Sequence, residues 1–346
     1  MQRLILAGGG HAHLSVLHAL AKNPANTDVT LITPSAYQTY SGMLPGWMAG
    51  HYSVSDCHID LRPLAEAAGV ELIIGQVAGM DANSNCVALP DGTIYEYDLL
   101  SLDVGGETDL SRLEALSNKL LPIKPLGEFV KRWPTIITDA KNQHNYSLIV
   151  VGGGAAGVEI AMAAQYAFSN SAPAATVTLF ASENGILPGH APAVISRAQK
   201  LLKQRGIILH KAHAVGVDDG VLLSNGKQVL ADTVIASTGT TPPWWLKASN
   251  LGLDEYGYIS VDAHHRSLTH DNVFAAGDVC ARADAVMARS GVHAVFAGPV
   301  LANNLIASIQ GQVLQIYTPR QKSLYLLATG PQHAIASWGQ FSAQGH

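Results

Sequence analysis

Cysteine is scarce and badly spaced for chemistry. The three present, Cys57, Cys86 and Cys280, form no C-x-x-C or C-x-x-x-x-C pair. That argues against a zinc site and against a local redox disulfide, and an odd number of thiols suits a reducing compartment. Charge is sparse too. Asp, Glu, Lys and Arg make up 14% of the chain, the formal net charge is −5, and no Lys/Arg-rich block occurs, so a nucleic-acid partner is not expected. Neither G-x-S-x-G nor H-E-x-x-H appears, and no catalytic triad is expected. The N-terminus enters a strand at once, which leaves no room for a signal peptide. No uninterrupted apolar run is long enough to span a membrane. The nearest, VFAGPVLANNLIASIQGQVL, is broken by Asn303, Asn304, Gln310 and Gln312. It reads as an amphipathic helix with Val300, Leu301, Leu305 and Ile309 on the buried side.

What the chain does have is apolar surface and glycine: 48% hydrophobic residues and 33 glycines in 346. This suits a well-buried α/β protein rich in tight turns, long enough for two or three domains. The plan occurs twice. RLILAGGGHAHLSVLHAL near the start is echoed by SLIVVGGGAAGVEIAMAA at 147–164. Each copy is followed by a second strand candidate, TDVTLIT and ATVTLFA, and later by a strand ending in glycine, YDLLSLDVGG and ADTVIASTGTTPP. Strand, glycine turn and helix in that order is the context a dinucleotide-binding loop requires.

The physical reason is the helix start, where backbone N–H groups are unpaired and carry partial positive charge. A pyrophosphate satisfies both. The first glycine permits the turn, the second lets phosphate approach the backbone, and the third allows helix and strand to pack closely. The second copy has all three, Gly152, Gly154 and Gly157. The first has Gly8 and Gly10, with Gly9 adding freedom, but His13 stands where the packing glycine would be. The loop can still bind, with its helix slightly further off the strand. His11 and His13 read as loop and packing residues and not as metal ligands, being two apart and off one helical face; no metal is expected. An acid gripping a ribose at the end of the second strand is missing from both copies. Thr33 can offer a hydroxyl in the first, and Glu183 lies two residues along in the second, with no Arg beside it. That favours NADH over NADPH.

NVFAAGDV, at 272–279, is a further strand candidate ending in Gly-Asp. With GGGHAH, GGGAAG, TGTTPP and AAGDV in this order, nearly the whole chain resembles the two-dinucleotide-fold flavoproteins of the pyridine nucleotide-disulfide oxidoreductase superfamily. YQTYSGMLPGWMAGHYS looks like the flavin-contacting stretch of type II NADH dehydrogenases. GGGHAHLSVL, YSGMLPG, CHIDL and GPVLANNL look like the flavoprotein module found ahead of selenide, water dikinase; the match is to the flavoprotein part only.

The resemblance implies an α/β fold of two Rossmann-like, three-layer ββα domains, the NAD(P)-binding one inserted in the FAD-binding one. Residues 1–114 and 251–310 would bind FAD, 115–250 NAD(P)H, and 311–346 would form a short C-terminal interface segment. FAD contacts are implied at Gly8, Gly9, Gly10, His11, Ala12, Thr33, Ser41, Gly42, Met43, Val77, Gly105, Gly277, Asp278, Gly291 and Val292, with Asp278 on the ribityl–phosphate part. NADH or NADPH contacts are implied at Gly152, Gly154, Gly157, Glu183 and Gly239. The stretch 287–299 would begin a helix over the flavin pyrimidine edge, with His293 as a packing or ring-edge contact.

For catalysis the candidates are Glu159 and Lys124. Glu159 reads equally as a helix-start carboxylate and, by resemblance, as a neighbour of the nicotinamide. Lys124 reads as a solvated linker lysine or as a cation near the flavin. Cys57 and Cys280 read as inert buried thiols.

The implied activity is hydride transfer from NAD(P)H to FAD, then electron delivery to a quinone or another small acceptor. The resemblance leaves room for a homodimer and for peripheral contact with the inner face of a membrane from a cytoplasmic location. Two other readings stay open: an electron-transfer partner that reduces a second redox protein, and a flavin-containing module that senses NAD(P)H.

Overall fold

A computed structural model describes residues 2–24, 26–287, 291–320 and 322–346. The chain divides into two compact units: Met1–Gln38, His58–Glu107 and Thr241–Gln321 form unit 1, and Thr39–Cys57, Thr108–Thr240 and Lys322–His346 form unit 2.

Unit 1 is built on a five-stranded parallel sheet. Its strands are β1 (Gln2–Ala7), β2 (Thr27–Thr33), β3 (Glu71–Ile74), β4 (Leu99–Leu102) and, after the chain returns from unit 2, β10 (Val273–Ala275), in the order β10-β4-β1-β2-β3. β1 pairs Ala7 with Ile32 on one side and with Leu102 on the other. Side chains on a strand alternate faces, and β1 is apolar on both. Leu4 and Leu6 join Val16, Leu17 and Leu301 in one core cluster, on the side of helices α1 (His11–Lys22) and α6 (Gly291–Ile309). Ile5 and Ala7 join Val87 and Tyr97 in another, on the side of an antiparallel meander over Gly79–Asp81, Cys86–Ala88 and Ile94–Glu96. Burial on both faces is what a parallel sheet demands. Each fully buried Leu or Ile contributes about 1.5–3 kcal/mol.

Unit 2 repeats the plan. Strands β5 (Leu120–Pro122), β6 (Ser147–Val151), β7 (Thr176–Ala181), β8 (Ile208–Lys211) and β9 (Thr233–Ala236) form a parallel sheet in the order β5-β9-β6-β7-β8. Leu148 and Val150 pack with buried residues of helices α3 (Leu126–Asn142), α4 (Ala155–Ser171) and α5 (Pro192–Gln204). Ile149 and Val151 pack with Val221 and Leu223 of a second antiparallel meander. In both units the glycine-turn strand is central, flanked by the second strand and by the later glycine-ended strand.

One expectation is corrected. Helix α6 is long and apolar enough, by length and composition, to cross a membrane, and half of its most apolar stretch is buried inside the fold. Its buried residues are His293, Ala294, Ala297, Gly298, Leu301, Ala302, Asn304, Leu305 and Ala307, while Val300 and Ile309 lie half-buried at the margin. The stripe is set by α1, since a Cβ on Gly298 would stand 2.5 Å from the Ser15 hydroxyl and 3.1 Å from the Ala12 carbonyl oxygen. Asn304 lies on the buried face of the helix. It is fully buried, its amide donating to the carbonyls of His264 and Gln315 and accepting from the Gln315 N–H, so its burial is compensated.

The tail folds as well. Strands β11 (Tyr325–Ala328), β12 (Ala334–Trp338) and β13 (Phe341–Gly345) make an antiparallel sheet that packs on α4 and α5 within unit 2.

Candidate cofactor sites

The two glycine turns are superimposable in their bonding. In unit 1 the Gly8 N–H donates to the Ile32 carbonyl and the Asp103 N–H to the Ala7 carbonyl, both at 2.8 Å; in unit 2 Gly152 bonds Phe180 (2.8 Å) and Ser237 bonds Val151 (2.7 Å). Gly8 and Gly152 both have positive φ, +94° and +135°. A Cβ on Gly8 would run into the Asp103 carbonyl, and one on Gly152 into that of Ser237. Glycine is required at both for conformation and for room.

The turns differ further along. In unit 2 a Cβ on Gly157 would collide with the Gly152 carbonyl oxygen, so the first turn of α4 rests directly on the loop. Among the described residues nothing lies within 4 Å of where a Cβ of Gly154 would stand, no acid occurs in the first turn, and the N-cap residue makes no side-chain cap bond. This is an open cradle at a helix start, and it fits a pyrophosphate.

In unit 1 His13 replaces that packing glycine. It is buried (1% exposed), and its Nδ1–H donates to the same loop carbonyl, that of Gly8, at 2.5 Å. Burial pushes its pKa down to about 4, so the ring is neutral and Nε2 accepts the Ser101 hydroxyl at 2.8 Å. The helix therefore stands off the loop by enough to admit an imidazole.

Unit 1 also holds an acid that sequence reasoning missed. Asp103, 4% exposed, follows β4, and its Oδ2 accepts the N–H groups of Ala12 (2.8 Å) and His13 (3.2 Å) in the first turn of α1. Burial pushes its carboxyl up to about 6, against the pull of those two bonds. A Cβ on Gly10 would overlap the Asp103 carboxyl group, and one on Gly277 would come within 2.6 Å of its Oδ1. Asp103 thereby brings Gly8, Gly10, Ala12 and the Gly277–Val279 turn together. The half-buried Asp278 and His11 act on it electrostatically, and burial lowers the His11 pKa. The N-cap residue Gly10 makes no side-chain cap bond of its own, so this turn also fits a phosphate group beside the Asp103 carboxyl.

Thr33, buried, lies beneath Gly9 and donates its hydroxyl to the Ser35 carbonyl at 3.3 Å. Val77 is core, packed with Ile5 and Ile32. Gly105, φ +74°, turns the chain after β4. Gly291 and Val292 open α6 as described; residues 288–290 of the expected 287–299 stretch lie outside the described residues. Next along, buried His293 has an Nδ1 with no hydrogen-bond partner among the described residues.

In unit 2, Glu183 is exposed beyond β7. A cation unforeseen from sequence stands by this turn: a Cβ on Gly185 would lie 3.7 Å from the Lys211 side chain. Gly239, φ +132°, follows β9. Ser41–Met43 form one 3-10 turn leading into α2 (Leu44–Met48), which packs on α4. Lys124 exchanges two bonds with the Thr108 hydroxyl and points its Nζ to Thr240 at 3.4 Å. Glu159 Oε1 accepts the Ala328 N–H at 2.8 Å, and burial pushes its pKa up to about 7. Cys57 and Cys280 are buried; burial and then Asp56 raise the Cys57 thiol.

Comparison with known proteins follows the same lines. Residues 2–299 match the family described as pyridine nucleotide-disulphide oxidoreductase. The chain is similar to the NADH dehydrogenase-like protein YutJ of Bacillus subtilis, 23% identical over 80% of this chain and 76% of that one. Its fold is that of NDH2 from Plasmodium falciparum, solved with NADH (TM-score 0.84, 14% identity, 100% and 92% coverage). It is also that of the sulfide:quinone oxidoreductase of Aquifex aeolicus (TM-score 0.80, 17% identity, 100% and 87% coverage).

Proposed function

Since the chain belongs to the pyridine nucleotide-disulphide oxidoreductase family, an oxidoreductase family that binds FAD and NAD(P)H, we propose that unit 1 holds FAD, unit 2 holds NAD(P)H, and electrons leave for a quinone. When bound, the two cofactors supply hydride donor and hydride acceptor; the protein's part is to hold, orient and tune them. The observation that supports the assignment of sites is the doubled glycine turn at a helix start, open in unit 2 and shared with the Asp103 carboxyl in unit 1. The open turn of unit 2 suits a co-substrate that must come and go. The turn of unit 1 is braced by His13 and Asp103 against β4, as a resident cofactor's site would be.

Asp278, at the turn after β10, would hold the FAD ribityl–phosphate part, and Glu159 would face the nicotinamide. Lys124 would stabilise negative charge on the reduced flavin. The quinone is favoured because a protein of the same fold is named a sulfide:quinone oxidoreductase, while no cysteine pair is available here for sulfide. A cytoplasmic location with peripheral membrane contact would follow from such an acceptor.

The test is anaerobic. Purified protein should be yellow, and NADH or NADPH should bleach it; a short-chain quinone should restore the colour. Asp278→Ala should lose flavin. Protein that stays colourless with excess FAD would overturn the proposal, and yellow protein that never bleaches would leave a sensing module instead.

A further inference from the structure

The two units provide an internal comparison. Same register, same strand order and same loop bonds place Asp103 in unit 1 where Ser237 stands in unit 2. His13 likewise stands where Gly157 does. The pair of exchanges makes a different first turn. Of the first N–H groups of α1, which a helix cannot satisfy internally, Asp103 takes those of Ala12 and His13. Among the described residues it does not take that of Gly10. The end of the helix that would receive a phosphate therefore already holds a carboxyl group, buried and wedged between Gly10 and Gly277.

We propose that Asp103 is a positioning residue for the cofactor of unit 1, and that it takes up a proton from solvent when the cofactor's phosphate group arrives at the neighbouring N–H groups. The inference rests on the reading that unit 1 holds FAD. A carboxylate and a phosphate sharing one helix start repel each other in a poorly solvated place. Protonation removes the repulsion, and the protonated group still accepts from Ala12 and His13 through its carbonyl oxygen.

The groups facing Asp103 leave it free to respond. His11 on α1 draws its pKa down when charged, Asp278 pushes it up, and His13 contributes only its backbone N–H and is neutral. Without cofactor the carboxyl titrates at about 6, so at neutral pH it is mostly ionised and has a proton to gain. The phosphate raises that value further. Binding should then weaken as pH rises above about 6, by roughly tenfold per unit while the bound form keeps its proton. Unit 2, with Ser237 in this place, has no such term.

The test uses the flavin-depleted protein. FAD affinity is titrated from pH 6 to pH 8, and proton uptake is read by calorimetry in buffers of different ionisation heat. Wild-type protein should take up about one proton per FAD near neutral pH. Asp103→Asn should take up none, bind with a flat pH profile, and hold FAD more tightly than wild type at the alkaline end. His11→Gln should keep the uptake, which separates Asp103 from the neighbouring imidazole. A flat wild-type profile with no proton uptake would overturn the inference while leaving FAD in unit 1, as would an uptake lost in His11→Gln. Failure to bind FAD at any pH would overturn both this inference and the reading beneath it. The wild-type calorimetry decides the matter even if Asp103→Asn does not fold.

Discussion

Glu159 accepts the backbone N–H of Ala328 at 2.8 Å, a bond that ties the first turns of α4 to the C-terminal sheet across 169 residues of sequence. The sheet is wedged in from both sides. The His51 ring donates to the Gly330 carbonyl, Arg205 reaches the Thr329 hydroxyl, and a Cβ on Gly330 would meet the Met162 carbonyl. The tail is thus part of the surroundings that shield this carboxyl and push its pKa up to about 7.

That shift has a sign. The folded protein holds the Glu159 proton more tightly than the unfolded chain, whose value is near 4.5. Stability from this group is full below about 4.5, falls as pH rises to about 7, and is level above it. Glu159→Gln keeps an acceptor for Ala328 and should remove the fall, which urea unfolding across that window would read. The same change should slow flavin bleaching by NAD(P)H, on the order of tenfold for a lost charged contact of about 1.5 kcal/mol, with FAD content unchanged. A change in FAD content without a change in bleaching rate would contradict the role.

Gly154 and Gly157 should separate on substitution. Alanine at 157 drives a Cβ into the Gly152 carbonyl and should cost about 1–3 kcal/mol by overpacking, visible as a lower melting temperature. Alanine at 154 has open space and an ordinary extended φ of −69°. It should leave stability nearly unchanged while weakening NAD(P)H binding, because the methyl occupies the approach to the helix start.

Much of this architecture is local and therefore legible in sequence. Two-faced apolar strands such as RLILA and SLIVV, followed by glycine turns, announce a parallel sheet wherever they occur. Asp103 is not local. Its role arises because Ala7 lies beside Leu102, which sets residue 103 against residue 8; only aligning LSLDVGG with VIASTG, Asp over Ser, would have singled it out. The stripe on α6 failed for a similar reason. Apolar periodicity selects Val300 and Ile309, but contact is decided by where α1 offers small residues, opposite Gly298. The tail carried a signal in alternating AIASW and FSAQG around a Gly-containing turn, outweighed by its shortness.

His13 supplies the sharpest check on the first turn. Family spacing suggests glycine there, so His13→Gly would restore the pattern, yet it should destabilise this protein. The substitution empties the space an imidazole fills, leaves the Gly8 carbonyl and the Ser101 hydroxyl without their partners, and should cost about 2–4 kcal/mol. Its pH signature is opposite to that of Glu159. The folded ring titrates at about 4 against an ordinary 6.5, so its stabilisation is full above about 6.5 and is lost as pH falls towards 4. Urea unfolding of wild type and His13→Gly at a series of pH values should show curves far apart at neutral pH that converge towards pH 4. A His13→Gly protein as stable as wild type at neutral pH would mean that the imidazole is a passenger and that the loop closes onto the helix without it.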